Sequence, residues 1–170
     1  GPPPVAVSFR AMPYRRLGSS NLRVSVLCLG TMMFGDQTDA KEAAAIVARA
    51  REHGVNFIDT ADVYTRGASE TMLGELLQGQ REHWVLATKL GNAMGRGPNQ
   101  VRYSRSWMLP ELDASLARLR TDHVDVLYLH RDFEGMDLEE PVRALGDLVR
   151  AGKIRAWGLS NFRGWRIAEA

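Results

Sequence analysis

Apolar residues along this chain switch repeatedly between short continuous runs and helical spacing. Five runs are compact: 24–30 (VSVLCLG), 55–59 (VNFID), 84–89 (WVLATK), 124–130 (VDVLYLH) and 154–160 (IRAWGLS). Runs of that length between turn residues read as buried strands. Between them the apolar positions recur every three or four residues. Ala43, Ile46, Val47 and Ala50 share a face in 39–54, opened by an Asp39–Glu42 capping box and closed by Gly54. Met72, Leu73 and Leu76 mark a second helix in 69–77, and Leu109, Leu112, Leu116 and Leu119 a third. A second capping box, Asp137 with Glu140, opens a fourth with Val142, Leu145 and Val149 inward, and Gly152 ends it. Residues 161–170 begin another connection of helical character. Residues 14–25 behave differently: two short strands around Gly18-Ser19-Ser20-Asn21 predict a hairpin.

Strict alternation of strand and helix implies a parallel sheet with right-handed crossovers. Two architectures satisfy it, an open doubly wound sheet and a (β/α)8 TIM barrel. The polar residues separate them. Asp59, Lys89, His130 and Ser160 each stand at the C-terminal end of a different consecutive strand. A barrel brings those ends to one mouth, whereas an open sheet strings them along an edge. No G-x-G-x-x-G follows any strand; GNAMGRG at 91–97 has the wrong spacing and leads into a polar loop. The expected fold is therefore the barrel.

Composition narrows the partners. With 170 residues, 45% hydrophobic and 25% charged, the chain reads as one domain. A net charge of +2 without any block of like charge gives no reason to expect nucleic acid. No apolar run reaches the roughly 18–20 residues of a membrane span. The one cysteine, Cys28, lies in an apolar run and reads as a small core residue. It excludes an intrachain disulfide and fits a reducing cytoplasm. Residues 1–12 read as a disordered tail without the basic start of a signal peptide, and 13–170 as the domain.

The strand-end residues gain meaning together with Tyr64, five positions after Asp59. A tyrosine ordinarily titrates near pH 10, too high for a good donor at neutral pH. A neighbouring ammonium favours the phenolate, and Lys89 can supply it. Asp59 can fix the ammonium, and His130 can hold a carbonyl oxygen by hydrogen bond. Each has a plain structural alternative: a turn cap for Asp59, packing for Tyr64, a satisfied histidine for His130. Lys89 is harder to explain so, because lysine is rarely buried unpaired. A metal-dependent hydrolase using Asp59, Asp62 and His130 as ligands is a further reading. Lys89 in the same mouth would compete for those acids, so no metal is expected, and Asp62 is read as a turn cap.

These stretches carry a family resemblance as well. YRRLGSSNLRVSVLCLGTMMFG, GVNFIDTADVY, LATKLG, VDVLYLHR and GKIRAWGLSNF resemble successive motifs of the aldo-keto reductases, in family order over 14–165. The resemblance implies reduction of aldehydes or ketones with NADPH on a (β/α)8 barrel, of which this chain supplies five strands and the hairpin that closes the floor. It implies a catalytic tetrad of Asp59, Tyr64, Lys89 and His130, with Tyr64 the general acid. Gly30, Thr31, Met32 and Asp59 would lie beside the nicotinamide, and Ser160 and Asn161 would bond its carboxamide. Met33, Phe34 and Trp107 would line the substrate pocket with Tyr64 and His130. The partner is then a small carbonyl compound, and the open edges invite self-association. The chain is expected to be a portion of a longer enzyme, since its last helix stops without a C-cap; completion by a second chain and an inactive fragment are the alternatives. A non-catalytic NADPH-binding regulatory subunit is the second functional expectation.

Overall fold

A computed structural model describes residues 11–170. The tail expected at 1–12 lies outside the described residues except for Ala11 and Met12, and Met12 packs against the core. Strands β1 (Tyr14–Arg16) and β2 (Arg23–Ser25) form the antiparallel hairpin. Strands β3 (Cys28–Gly30), β4 (Phe57–Asp59), β5 (Val85–Leu90), β6 (Val124–Leu129) and β7 (Ile154–Leu159) form one parallel sheet in sequential order. Helices α1 (Ala40–Glu52), α2 (Ala68–Leu76), α3 (Arg105–Leu119) and α4 (Glu139–Arg150) connect them, and α5 (Gly164–Glu169) follows β7. This is five-eighths of a TIM barrel, with β3 and β7 as the sheet edges among the described residues.

The core lies between the outer face of the sheet and the helices. Ile58, Leu86, Leu90, Leu127 and Leu129 point outward from the strands, against Leu73, Leu112, Leu119 and Leu145 of the helices. Each fully buried side chain of this size contributes roughly 1.5–3 kcal/mol. Strand alternation sends Cys28, Asp59, Ala87, Lys89, Val126 and Tyr128 to the opposite, inner face. The hairpin docks at the far end from the mouth. Asn56 accepts from the Ser25 amide at 2.7 Å and donates to the Arg23 carbonyl at 3.0 Å, and the Tyr14 hydroxyl donates to the Gly54 carbonyl at 2.6 Å.

Four local expectations are corrected. The run 24–30 is not one strand: Val26 and Leu27 are exposed where the chain turns from the hairpin into the sheet. Cys28 lies on the inner face of β3, outside the core that packs between the sheet and the helices. The inward face of α4 is Pro141, Ala144, Leu145 and Leu148, while Val149 is exposed. Glu140 does not close a capping box; its carboxylate accepts from the Arg105 amide at 2.8 Å and so caps α3 from the neighbouring helix. The Asp39 cap is as expected, accepting from the Glu42 amide at 2.8 Å.

Helices α2 and α3 approach closely at Gly74. A Cβ there would lie 2.2 Å from the Arg118 carbonyl oxygen and 2.8 Å from the Leu119 carbonyl carbon, both backbone. Gly74→Ala should therefore cost about 1–3 kcal/mol. Gly146→Ala, where the nearest atom is a flexible guanidinium nitrogen at 3.6 Å, should instead stabilise by about 0.5–1 kcal/mol. Urea midpoints at unchanged slope measure both. Equal effects would contradict the close helix approach.

Candidate active site

The ends of β4, β5 and β6, with the turn after β4 that carries Tyr64, bring the four expected residues together. The sheet register sets Gly30 opposite Asp59 and Asp59 opposite Ala87, with Lys89 two residues further along β5. The lysine stem reaches back across this stagger. Its Nζ donates to Asp59 Oδ2, to the Thr60 carbonyl at 2.8 Å and to the Tyr64 hydroxyl at 3.1 Å. All three ammonium hydrogens therefore have acceptors, which is what permits Lys89 to be only 7% exposed. Burial raises the Asp59 pKa above its ordinary value, and the charge and hydrogen bond of Lys89 oppose that rise.

His130 follows β6, its amide bonded to the Leu90 carbonyl at 3.0 Å. Its ring meets the Tyr64 ring edge-on, with centroids 5.8 Å apart at 83°. Burial, then the positive charges of Lys89 and Arg131, hold its pKa down at about 4. The imidazole is thus neutral near pH 7 and can donate from one nitrogen only. Asn92, which the sequence reading passed over, places its Nδ2 at 3.2 Å from His130 Nδ1. Its position two residues past a strand that ends in Lys89 and Leu90 was the available signal.

The residues expected around a cofactor divide. Ser160 and Asn161 close β7, and Asn161 Nδ2 donates to the His130 carbonyl at 2.9 Å and to the Ser160 hydroxyl at 3.0 Å. Gly30 ends β3 with open space where a Cβ would stand, and Met32 and Met33 are exposed just beyond it. Thr31 does not present its side chain there: it is fully buried, with its hydroxyl against the Asp59 carbonyl and the Ser69 hydroxyl, both at 3.0 Å. Phe34 is corrected too. It belongs to the hydrophobic core at 3% exposure and cannot line a pocket. Trp107 stands in the first turn of α3 with a buried indole nitrogen that lacks a partner, and no ring contact joins it to Tyr64 or His130 among the described residues.

A family model described as the Aldo/keto reductase family matches residues 26–170. The chain belongs to that family. It is 40% identical over 163 residues to proteins of Arabidopsis thaliana and Oryza sativa subsp. japonica, each named a probable voltage-gated potassium channel subunit beta. The match covers 94% of this chain and 49% of each relative. An uncharacterized oxidoreductase of Bacillus subtilis is 39% identical over 170 residues, covering 94% of this chain and 52% of that protein. Among solved structures, an aldo-keto reductase from Bacillus halodurans in its holo form superposes with a TM-score of 0.85 at 36% identity, over 93% of this chain and 53% of that one. The chain thus spans about half the length of the curated relatives it matches.

In this aldo/keto reductase chain a second charged cluster lies directly behind the first. Glu70 accepts from Thr88 at 2.5 Å and from Arg118 at 2.7 Å; Arg118 also donates to Glu111 at 2.8 Å and Ser115 at 3.0 Å. Asp62 belongs to this cluster and is no exposed turn cap. It is fully buried, and neither carboxylate oxygen has a hydrogen-bond partner. Burial, then the charges of Glu111 and Glu70, push its pKa up to about 8, and the nearby Val63 backbone amide and then Arg118 offset only part. Three acids face one arginine, so a proton on Asp62 is the natural remedy. The sequence signal was Glu111 and Arg118 seven residues apart on α3, sharing a face with Leu112 and Leu119. Among the described residues no group of three His, Cys, Asp or Glu side chains is suited to a metal ion. No helix among them is long and apolar enough to cross a membrane.

The raised Asp62 pKa has a stability consequence. The folded chain holds a proton on Asp62 up to about pH 8, whereas the unfolded chain releases it near the ordinary carboxylate value of 3.8. This contribution is complete below pH 4, shrinks as pH rises and is gone above about pH 8. Asp62→Asn mimics the protonated acid, so its unfolding free energy should fall less than the wild type's between pH 5 and pH 8. Parallel pH profiles of the two proteins in urea titrations would contradict a protonated Asp62.

Proposed function

We propose that this chain carries the catalytic half of an NADPH-dependent reductase of aldehydes or ketones. The observation that supports it most is the single Lys89 ammonium donating to both Asp59 and Tyr64, with the neutral His130 ring against the same tyrosine. An ammonium on a phenol oxygen stabilises the phenolate left when the proton departs. Tyr64 then acts as general acid toward the carbonyl oxygen, and His130 donates a hydrogen bond to that same oxygen.

The residues present fit a nicotinamide. Asn161 uses its nitrogen within the protein, so its Oδ1 and the Ser160 hydroxyl are available to a carboxamide, and the open space at Gly30 admits a flat ring beside Asp59. A bound reduced nicotinamide would supply hydride to the carbonyl carbon. The chain's own part is to give the oxygen its proton from Tyr64 and to hold the resulting phenolate against Lys89. The product is the alcohol. One free thiol suits a reducing compartment, and we place the protein in the cytoplasm.

A second reading rests on the two plant relatives named potassium channel subunits: a regulatory protein that binds NADPH without turning over. The complete tetrad favours the enzyme. NADPH absorbance with 4-nitrobenzaldehyde separates them when the chain is assayed within the complete barrel. The enzyme reading predicts turnover, and Tyr64→Phe should lower kcat by roughly a hundredfold or more with KM little changed. Equal rates for wild type and variant would overturn the role of Tyr64. Quenching of tryptophan fluorescence by NADPH without turnover would favour the regulatory reading.

A further inference from the structure

We infer that Asn92 is a positioning residue: it fixes the tautomer of His130 and so decides which ring nitrogen carries the hydrogen offered to the carbonyl. The inference deepens the reductase reading and rests on it for its kinetic consequence. A carboxamide nitrogen only donates, so His130 Nδ1, 3.2 Å from Asn92 Nδ2, must present a lone pair. A neutral imidazole then carries its one hydrogen on Nε2. That nitrogen has no hydrogen-bond partner among the described residues. The opposite tautomer would turn a lone pair toward the substrate oxygen and repel it.

The contact is built from both sides. Gly91 has φ +124°, and a Cβ on it would lie 2.2 Å from the Tyr103 ring, so the loop after β5 takes this course only with glycine there. The Gly91 carbonyl accepts from the Arg102 amide at 2.7 Å. The Tyr103 hydroxyl donates to the Arg131 carbonyl at 2.7 Å and accepts from the Arg131 amide at 2.9 Å. The loop carrying Asn92 is therefore stapled to the residue that follows His130. Asn161, holding the His130 carbonyl at 2.9 Å, fixes the other side.

Charge keeps the arrangement neutral. The groups facing His130 are Lys89 of β5, Tyr64 after β4 and the adjoining Arg131; Asp59 is engaged by Lys89. None of them accepts a hydrogen bond from Nδ1. Asn92 is the one tautomer-setting contact among the described residues.

Asn92→Asp tests this, because it keeps the shape and reverses the polarity. A carboxylate accepts from Nδ1–H, so the neutral ring would turn a bare Nε2 to the substrate. Only the imidazolium, which donates from both nitrogens, would restore the bond. The variant's kcat should fall roughly tenfold to a hundredfold above neutral pH and recover as pH drops through its raised His130 pKa. The wild type should show no such recovery. Asn92→Leu should lose less and recover nothing in acid. Nitrogen-15 spectra of histidine-labelled protein, assigned with His130→Gln, read the tautomer whether or not the chain turns over. The wild type should show an unprotonated Nδ1 and a protonated Nε2. A protonated Nδ1 in the wild type would overturn the inference, and so would a wild-type pH profile in a folded Asn92→Asp. Absence of turnover with the expected spectrum would count against the reductase reading and leave the tautomer assignment supported.

Discussion

A buried ammonium must have all its hydrogens accepted or it is expelled toward water, and Lys89 meets that demand at the centre of this chain. Its three acceptors come from β4, from the first residue after β4 and from the turn beyond. Satisfying one lysine therefore fixes where Asp59 ends its strand and how the chain folds back to bring Tyr64 over it. The stagger of the parallel register supplies the distance that the four-carbon stem spans. Chemistry at the mouth is in this sense a consequence of strand pairing lower down.

Alternation along β5 links the mouth to the cluster behind it. Lys89 faces inward to Tyr64, and its neighbour Thr88 faces outward to Glu70. The segment between them is held from both sides. Thr65 and Arg66 adopt left-handed conformations, at φ +48° and +52°, and a β-branched residue there is strained. What holds them is visible: Arg118 packs beneath Gly67 while bonding Glu70, and the Ser69 hydroxyl ties Thr31 to Thr60. Asp62 is buried in the same segment, and its raised pKa favours the neutral form, which adds no further negative charge beside Glu70 and Glu111.

The fold, and the meeting of Asp59, Lys89 and His130 at one mouth, were legible in the sequence because both follow from periodicity, while the place of Tyr64 beside them rested on its spacing from Asp59 and on the family resemblance. Alternating strand and helix patterns fix the sheet order, and polar residues that end apolar runs fall at the mouth. What was not legible depends on contacts between elements. Asp62 looked like a turn cap because sequence does not say which side of a loop faces the helices. Phe34 and Thr31 sit beside exposed methionines in sequence yet turn inward to the core and to Ser69. Glu140 had the spacing of a capping box but found a better donor on the next helix. Cys28 read as core because the run around it is apolar, yet alternation along β3 sends it to the inner face, away from the helices.

In the proposed reaction Lys89 acts through Tyr64 and not merely near it. A double-mutant cycle on kcat tests that coupling directly. Lys89→Met and Tyr64→Phe should each lower kcat by on the order of a hundredfold or more, and the double variant should be no slower than Tyr64→Phe alone. Losses that multiply in the double variant would show two independent contributions and contradict the account.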